Sequence, residues 1–435
     1  MRIRLTAILA LAALLAGCGA GQASTTISAA VTTTVADTTT TSASTTATAV
    51  PTTTSTLPSR ELAWFRVLDE EGVLGGPGME MATSIVAGGP GLVAVGADEA
   101  EGGPDAAVWV SANGYSWTRV PDNEGSLGGP GIQLINAVAA GGPGLVAVGQ
   151  DDPEGSLATG WVDSDAAVWV SADGYTWTRI PRDEAIFGGP KGQRMMSVTA
   201  GGPGLVAIGS DYRDGSGWPD GAVWVSADGY AWSRVDDESV FGGPGGQEIL
   251  SVTAGGPGVV AVGSGNSYAN AAVWVSANGY SWTRVPHDEA IFGGPLAQEM
   301  VSVTVGGPGL VGIGGDSSDA AVWVSADGYT WTRVDDEATL GGPGNQSGIA
   351  VAVWQEGLVL VGKDESGDGG GVVFWVSADG YTWARIPSDQ SAFGAAEDVE
   401  IGSVVGWGAG LVMFGGDLSS SDWDAAVWVS PPPGG

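Results

Sequence analysis

Few residues in this 435-residue sequence suit a nucleophilic or metal-centred reaction. His287 is the only histidine and Cys18 the only cysteine, so a Ser-His-Asp relay, a histidine metal site and an internal disulfide all lack material. Carboxylate is in excess, with 49 Asp and Glu against 15 Lys and Arg. Asp151, Asp152 and Glu154, or Asp163 and Asp165, gather the oxygen ligands that Ca²⁺ requires. No EF-hand or nonapeptide calcium repeat frames them, so the expectation is no cofactor, with Ca²⁺ at these aspartates as the alternative. Trp161, Trp218 and Trp423 stand among polar and glycine residues in "ATGWVDS", "GSGWPDG" and "SSDWDAA". An aromatic so placed can stack on a sugar ring or anchor a protein partner. Arg182, Lys191, Arg194 and Arg213 concentrate near Trp218, and Arg194 and Arg213 are the secondary contacts expected beside it.

The formal net charge is −34. A nucleic-acid partner would be repelled, because affinity for phosphates rests on Lys and Arg, whereas a secreted protein gains solubility from such a charge. The chain opens with Met1-Arg2-Ile3-Arg4, an apolar run and "LAGC" at positions 15 to 18, which reads as a secretory signal. The ending resembles the lipobox of bacterial lipoproteins. That resemblance implies a signal peptide over 1–17, cleavage before Cys18, and a lipid on its sulfur that places the protein on the outer side of a bacterial cell membrane. Residues 18–58 carry the lipidated cysteine and a Thr/Ser-rich stretch too poor in large apolar groups to offset the entropy of ordering. It is expected to act as a tether for a domain over 59–435.

That domain is repetitive. "VWVS" or "FWVS" recurs at Trp109, Trp169, Trp224, Trp274, Trp323, Trp375 and Trp428, at spacings of 49 to 60 residues. A second tryptophan follows the first six, at Trp117, Trp177, Trp232, Trp282, Trp331 and Trp383, and "GGPGLVAVG" or a degraded form precedes each "VWVS". Each unit thus offers four short β-branched or aromatic segments, with Gly-Gly-Pro-Gly or Asx-Gly turns marking two hairpins. Four antiparallel strands at a period near 50 are the signature of a propeller blade. The seventh "VWVS" has no fourth strand after it, but "LAWFRV" at 62–67 is a fourth strand without a blade. Pairing the two closes an all-β ring of seven four-stranded blades and leaves no sheet edge at the seam.

The spacings vary through one loop per blade, between the second and third strands; without it each unit is 43 or 44 residues. Variable loops on a rigid scaffold are where binding is expected. That face holds Trp161, Trp218 and Trp423.

The "SADGYTW" turns resemble the Asp box of sialidase-type BNR-repeat propellers, with one residue fewer between Asp and Gly. The resemblance covers six blades, through Asn113, Asp173, Asp228, Asn278, Asp327 and Asp379, and implies a structural role for them. The Asx side chain accepts from turn amides, Gly takes a positive φ, and the Trp covers the turn. Asn serves as well as Asp there, which argues against a general acid. Sialidases of this kind are expected to use three arginines from different blades, a tyrosine nucleophile with a carboxylate partner, and an aspartic acid. Outside the repeated Arg this chain has too few arginines, and they cluster in one blade. No catalytic residues are therefore expected; the reading is a binding module for an extracellular glycan or protein. A glycoside hydrolase and a structural assembly factor are the alternatives.

Overall fold

Runs such as "GLVAVG" and "AAVWVS" leave the backbone little choice but extended pairing, because their Val and Trp side chains pack best on a pleated surface. The computed structural model describes residues 62–69, 72–76, 78–100, 103–121, 125–153, 164–189, 191–212, 218–243, 245–355, 357–366, 370–387, 390–419 and 423–431. The signal, the tether, Cys18, Glu154, Trp161, Asp163 and Arg213 lie outside them.

Strands assemble into seven antiparallel sheets of four. In the third blade the order from the axis outward is Gln193–Gly201, Gly204–Asp211, Asp220–Ser226 and Trp232–Val235. The fourth follows as Gln247–Gly255, Gly258–Gly265, Asn270–Ser276 and Trp282–Arg284. The seventh blade is completed by the start of the domain: Phe65 pairs with Val429 and Arg66 with Trp428. Trp64 is buried there, stacked 4.9 Å from Phe374, as the outer-strand tryptophans are in the other blades. Outer strands are shorter than expected, at two to four residues, because the Asx turn consumes the preceding residues.

Three single-turn helices among the described residues, Glu238–Phe241, Glu289–Phe292 and Glu337–Leu340, lie in the blade-to-blade connections, where sequence patterning pointed to none. One turn is too short for a 3.6-residue period to register. Each buries one large residue, Phe241, Phe292 or Leu340, and the other connections bury Leu74, Leu127, Phe187 and Phe393. The "VWVS" tryptophan then fastens the connection to the blade it enters. Its Nε1 donates to a connection carbonyl in all seven blades, Trp224 to Ile186 and Trp274 to Val240 for example, over 2.7 to 3.1 Å. A buried indole N–H needs such a partner, so the repeated Trp both fills the core and fixes the path between blades.

Each innermost strand carries a bulge, at residues 83, 136, 196, 250, 301, 349 and 402. A bulge sharpens strand twist. Just past it, the hydroxyls of Ser84, Ser197 and Ser251 accept from the amides of Val138, Val252 and Val303 in the next blade, at 3.2 to 3.4 Å.

Candidate functional site

The Asx turns close the face opposite the variable loops, and their hydrogen bonds are internal. In the third blade Asp228 Oδ1 accepts from the amides of Tyr230 and Ala231 at 2.8 and 2.9 Å, Ser226 Oγ accepts from Gly229 N, and Trp232 Nε1 donates to the Gly229 carbonyl. Asn113 and Asn278 do the same with their carboxamide oxygens. Gly229 needs its φ of +85°, a region where a Cβ is disfavoured. Backbone amides hold the carboxyls of Asp173, Asp228 and Asp327 below their ordinary range. At Asp379 burial pushes the carboxyl upward, but the backbone bonds from Thr382 and Tyr381, with the Ser377 and Thr382 hydroxyls, outweigh it and hold it below its ordinary range.

The variable-loop face is different in kind. The inner-strand residues two before the bulge are Met81, Leu134, Arg194, Glu248, Glu299, Ser347 and Glu400, so unlike polar groups from five adjacent blades share one level. Arg194 Nη2 lies 2.5 Å from Glu248 Oε1 across the boundary between the third and fourth blades, and the Glu248 side chain is only 2% exposed. Ser210 Oγ donates to the same oxygen at 3.3 Å. The Arg194 guanidinium also lies 5.7 Å from the Tyr212 ring centre. Burial opposes its charge, but Glu248 and Tyr212 outweigh it and raise the guanidinium above its usual range. Burial raises the Tyr212 phenol. It also raises Tyr268, where the Glu248 charge adds to it. Glu299 is pushed up to about 7 by burial and by Glu248. At the boundary between the sixth and seventh blades, Lys363 Nζ reaches Glu400 at 3.5 Å.

Tyr268 is delivered by an unusual loop. Asn266, Ser267 and Tyr268 have φ of 53°, 60° and 63°, a left-handed run that costs about 1–3 kcal/mol for each residue without special compensation. The ring it presents lies 5.5 Å from that of Trp218, tilted by 51°, and Trp218 remains 40% exposed. Trp218 in turn packs over Gly246, where a Cβ would meet its own at 2.9 Å. A partly exposed aromatic pair thus stands beside a buried Arg–Glu pair, where the third and fourth blades meet.

Two residues singled out in the sequence, Trp218 and Arg194, meet in this cluster; Arg194 acts through Glu248, with its side chain only 20% exposed. Trp423 is three blades from Trp218 around the ring, and its carbonyl accepts from Glu80 N at 2.7 Å, anchoring the first blade's inner strand. Asp151 is held by Gln133 Nε2 at 3.0 Å and Arg179 Nη2 at 2.8 Å, and Asp165 pairs with Arg182. Asp152 is buried at the end of its strand. Among the described residues no three Asp, Glu, His or Cys side chains form a group able to hold a metal ion. Sequence reasoning missed Tyr212, Glu248, Tyr268 and Glu299. Their available signal was departure from the repeat: Glu248, Glu299 and Arg194 occupy a position filled by Met81 and Leu134 in the first two blades.

No family model matches this chain, and no curated protein does. Among solved structures it is similar to Trypanosoma rangeli sialidase in complex with the inhibitor DANA, with a TM-score of 0.41, 14% identity, and coverage of 66% of this chain and 52% of that one. It is similar to the uncomplexed Pyrococcus horikoshii acylaminoacyl peptidase with a TM-score of 0.43, 8% identity, and coverage of 80% and 51%. A putative glycoside hydrolase from Parabacteroides distasonis gives a TM-score of 0.31, 12% identity, and coverage of 85% and 96%. The chain spans about half the length of the first two, and likeness at this level carries no inference about its ligand or reaction.

Proposed function

We propose that this propeller is a carbohydrate-binding module, held outside the cell by a lipid on Cys18, and that its glycan docks on the variable-loop face over Trp218 and Tyr268. The observation that carries the reading is the partly exposed aromatic pair of Trp218 and Tyr268 backed by the buried Arg194–Glu248 pair. Rings present flat apolar faces to the C–H side of a sugar, and a rigid, pre-organised platform keeps the entropy lost on binding small. The left-handed backbone that delivers Tyr268 is the kind of local strain that accumulates at binding sites.

A hydrolase is the second reading, because Glu299 at about 7 has the proton affinity of a general acid at neutral pH. Against it, Tyr268 is shifted upward, whereas a nucleophilic phenol needs the opposite shift.

Residues 59–435, labelled and titrated against a panel of glycans and cell-wall polymers, provide the test. Trp218→Ala and Tyr268→Ala, each checked for a native circular dichroism spectrum, are expected to weaken saturable binding about ten- to a hundredfold. Binding unchanged in both folded variants would refute the platform, and cleavage of a sialyl or other glycoside would favour the hydrolase. No glycan binding, together with capture of a protein by the same face, would move the reading to a protein partner.

A further inference from the structure

We infer that the fourth blade contains a binding site for a carboxylate supplied by a ligand, formed by Arg284 and Gln247 where the other blades supply an aspartate of their own. The second, third and sixth blades show the arrangement complete. Gln133, Gln193 and Gln346 donate from Nε2 to one oxygen of Asp151, Asp211 and Asp364 at 2.9 to 3.0 Å. Arg179, Arg234 and Arg385 on the outer strand take the other oxygen. Arg119 with Asp98, Arg333 with Asp316 and Arg66 with Asp417 make the same ion pair in the first, fifth and seventh blades.

The fourth blade keeps both donors and deletes the carboxylate. Gln247 stands opposite Gly265 in the register that pairs Gln193 with Asp211. Arg284 is opposite Trp274, as Arg234 is opposite Trp224, and its guanidinium lies 5.5 Å from the Trp274 ring centre. Among the described residues no carboxylate lies within ion-pair distance of it, and burial lowers its pKa. Asn270, paired with Gly265, replaces the aspartate found at 105, 165, 220, 319 and 424, so the second nearby carboxylate is gone too. Gly265 is not among the residues with positive φ, and the backbone gives no reason for glycine. A side chain there would meet Arg284 Nη2 and Gln247 Oε1, so an entering carboxylate displaces these two side-chain ends and gains a donor from Gln247 once its amide turns over, which presents Nε2 as in the sister blades. A guanidinium unpaired among the described residues and an amide that can turn over, in the positions that hold a carboxylate in the sister blades, make a site for a carboxylate brought by a ligand. Gly265 opens the loop that carries Tyr268, so entry is from the variable-loop face. The inference does not depend on the glycan reading.

Thermal unfolding in sodium formate, against sodium chloride of equal ionic strength, tests it with three proteins: the natural chain, Gly265→Asp and Arg284→Met. Formate at ten times its dissociation constant is expected to raise the melting temperature of the natural chain by about 2 °C over chloride. Neither variant should show this difference, and Gly265→Asp should melt higher in chloride alone. An absent difference in the natural chain, or an equal one in Arg284→Met, overturns the inference. The Arg284→Met comparison stands even if Gly265→Asp does not fold. Glucuronate and a tripeptide with a free or amidated C-terminus identify the source: a shift above that of formate with glucuronate assigns an acidic sugar, and one with only the free-acid peptide assigns a chain terminus. Trp218→Ala should keep its formate response, so failure of the glycan platform and failure of this site are distinguishable.

Discussion

Arg194 and Glu248 make the buried pair on which the loop face is built, and breaking it one side at a time should reveal that. The contact is 2.5 Å, with side chains 20% and 2% exposed. Two unit charges about 4 Å apart attract by about 4 kcal/mol at an effective dielectric of about 20, a gain largely spent on desolvating both groups. Arg194→Met leaves Glu248 buried beside Glu299 without its counter-charge, and is expected to destabilise by about 3–5 kcal/mol. Glu248→Leu leaves Arg194 in the same position, with a cost of similar size. The double variant removes both charges and replaces them with apolar volume, so its cost should fall to about 0–2 kcal/mol, giving a coupling of several kcal/mol. Urea denaturation followed by tryptophan fluorescence, with midpoints and slopes for the four proteins, measures the cycle. Additive losses, with the double variant worse than either single one, would refute the claim that the two charges are held mainly by each other.

Glu299 binds its proton up to about pH 7 in the folded state but to only about pH 4.3 when unfolded. It therefore has no effect on stability below the lower value, destabilises increasingly as pH rises from the lower value to the upper one, and costs a constant amount above that. Glu299→Gln should leave stability at pH 4 nearly unchanged and raise it by about 3–4 kcal/mol at pH 8; an equal change at both values would contradict the assignment. Trp64→Ala should cost about 3–5 kcal/mol, because the ring is buried in the closing blade against Phe374 and Phe393. Exposure of the Val427–Ser430 edge in that variant should appear as concentration-dependent association in size-exclusion chromatography.

Most of the architecture was legible because a repeat states its pattern several times. The two tryptophans, the glycine turns and the orphan "LAWFRV" determined the number of blades, their strand order and the closure at Phe65 and Val429, all of which follow from local periodicity and the need to pair every edge. The Asx turns were legible for the same reason, being completed within a few residues. The site was not. Trp218 and Arg194 stood out as composition, but Tyr268, Glu248 and Glu299 gain their meaning from neighbours about 50 residues away, brought together only when the third, fourth and fifth blades stand side by side. Gly265 shows the division most clearly. In the sequence it is one glycine among 75; in the sheet it faces Gln247 and Arg284 where every sister blade has a carboxylate. Local pattern decided the scaffold because strands and turns are formed by residues near in sequence, and tertiary structure decided the chemistry because charges act across space, from one blade to the next.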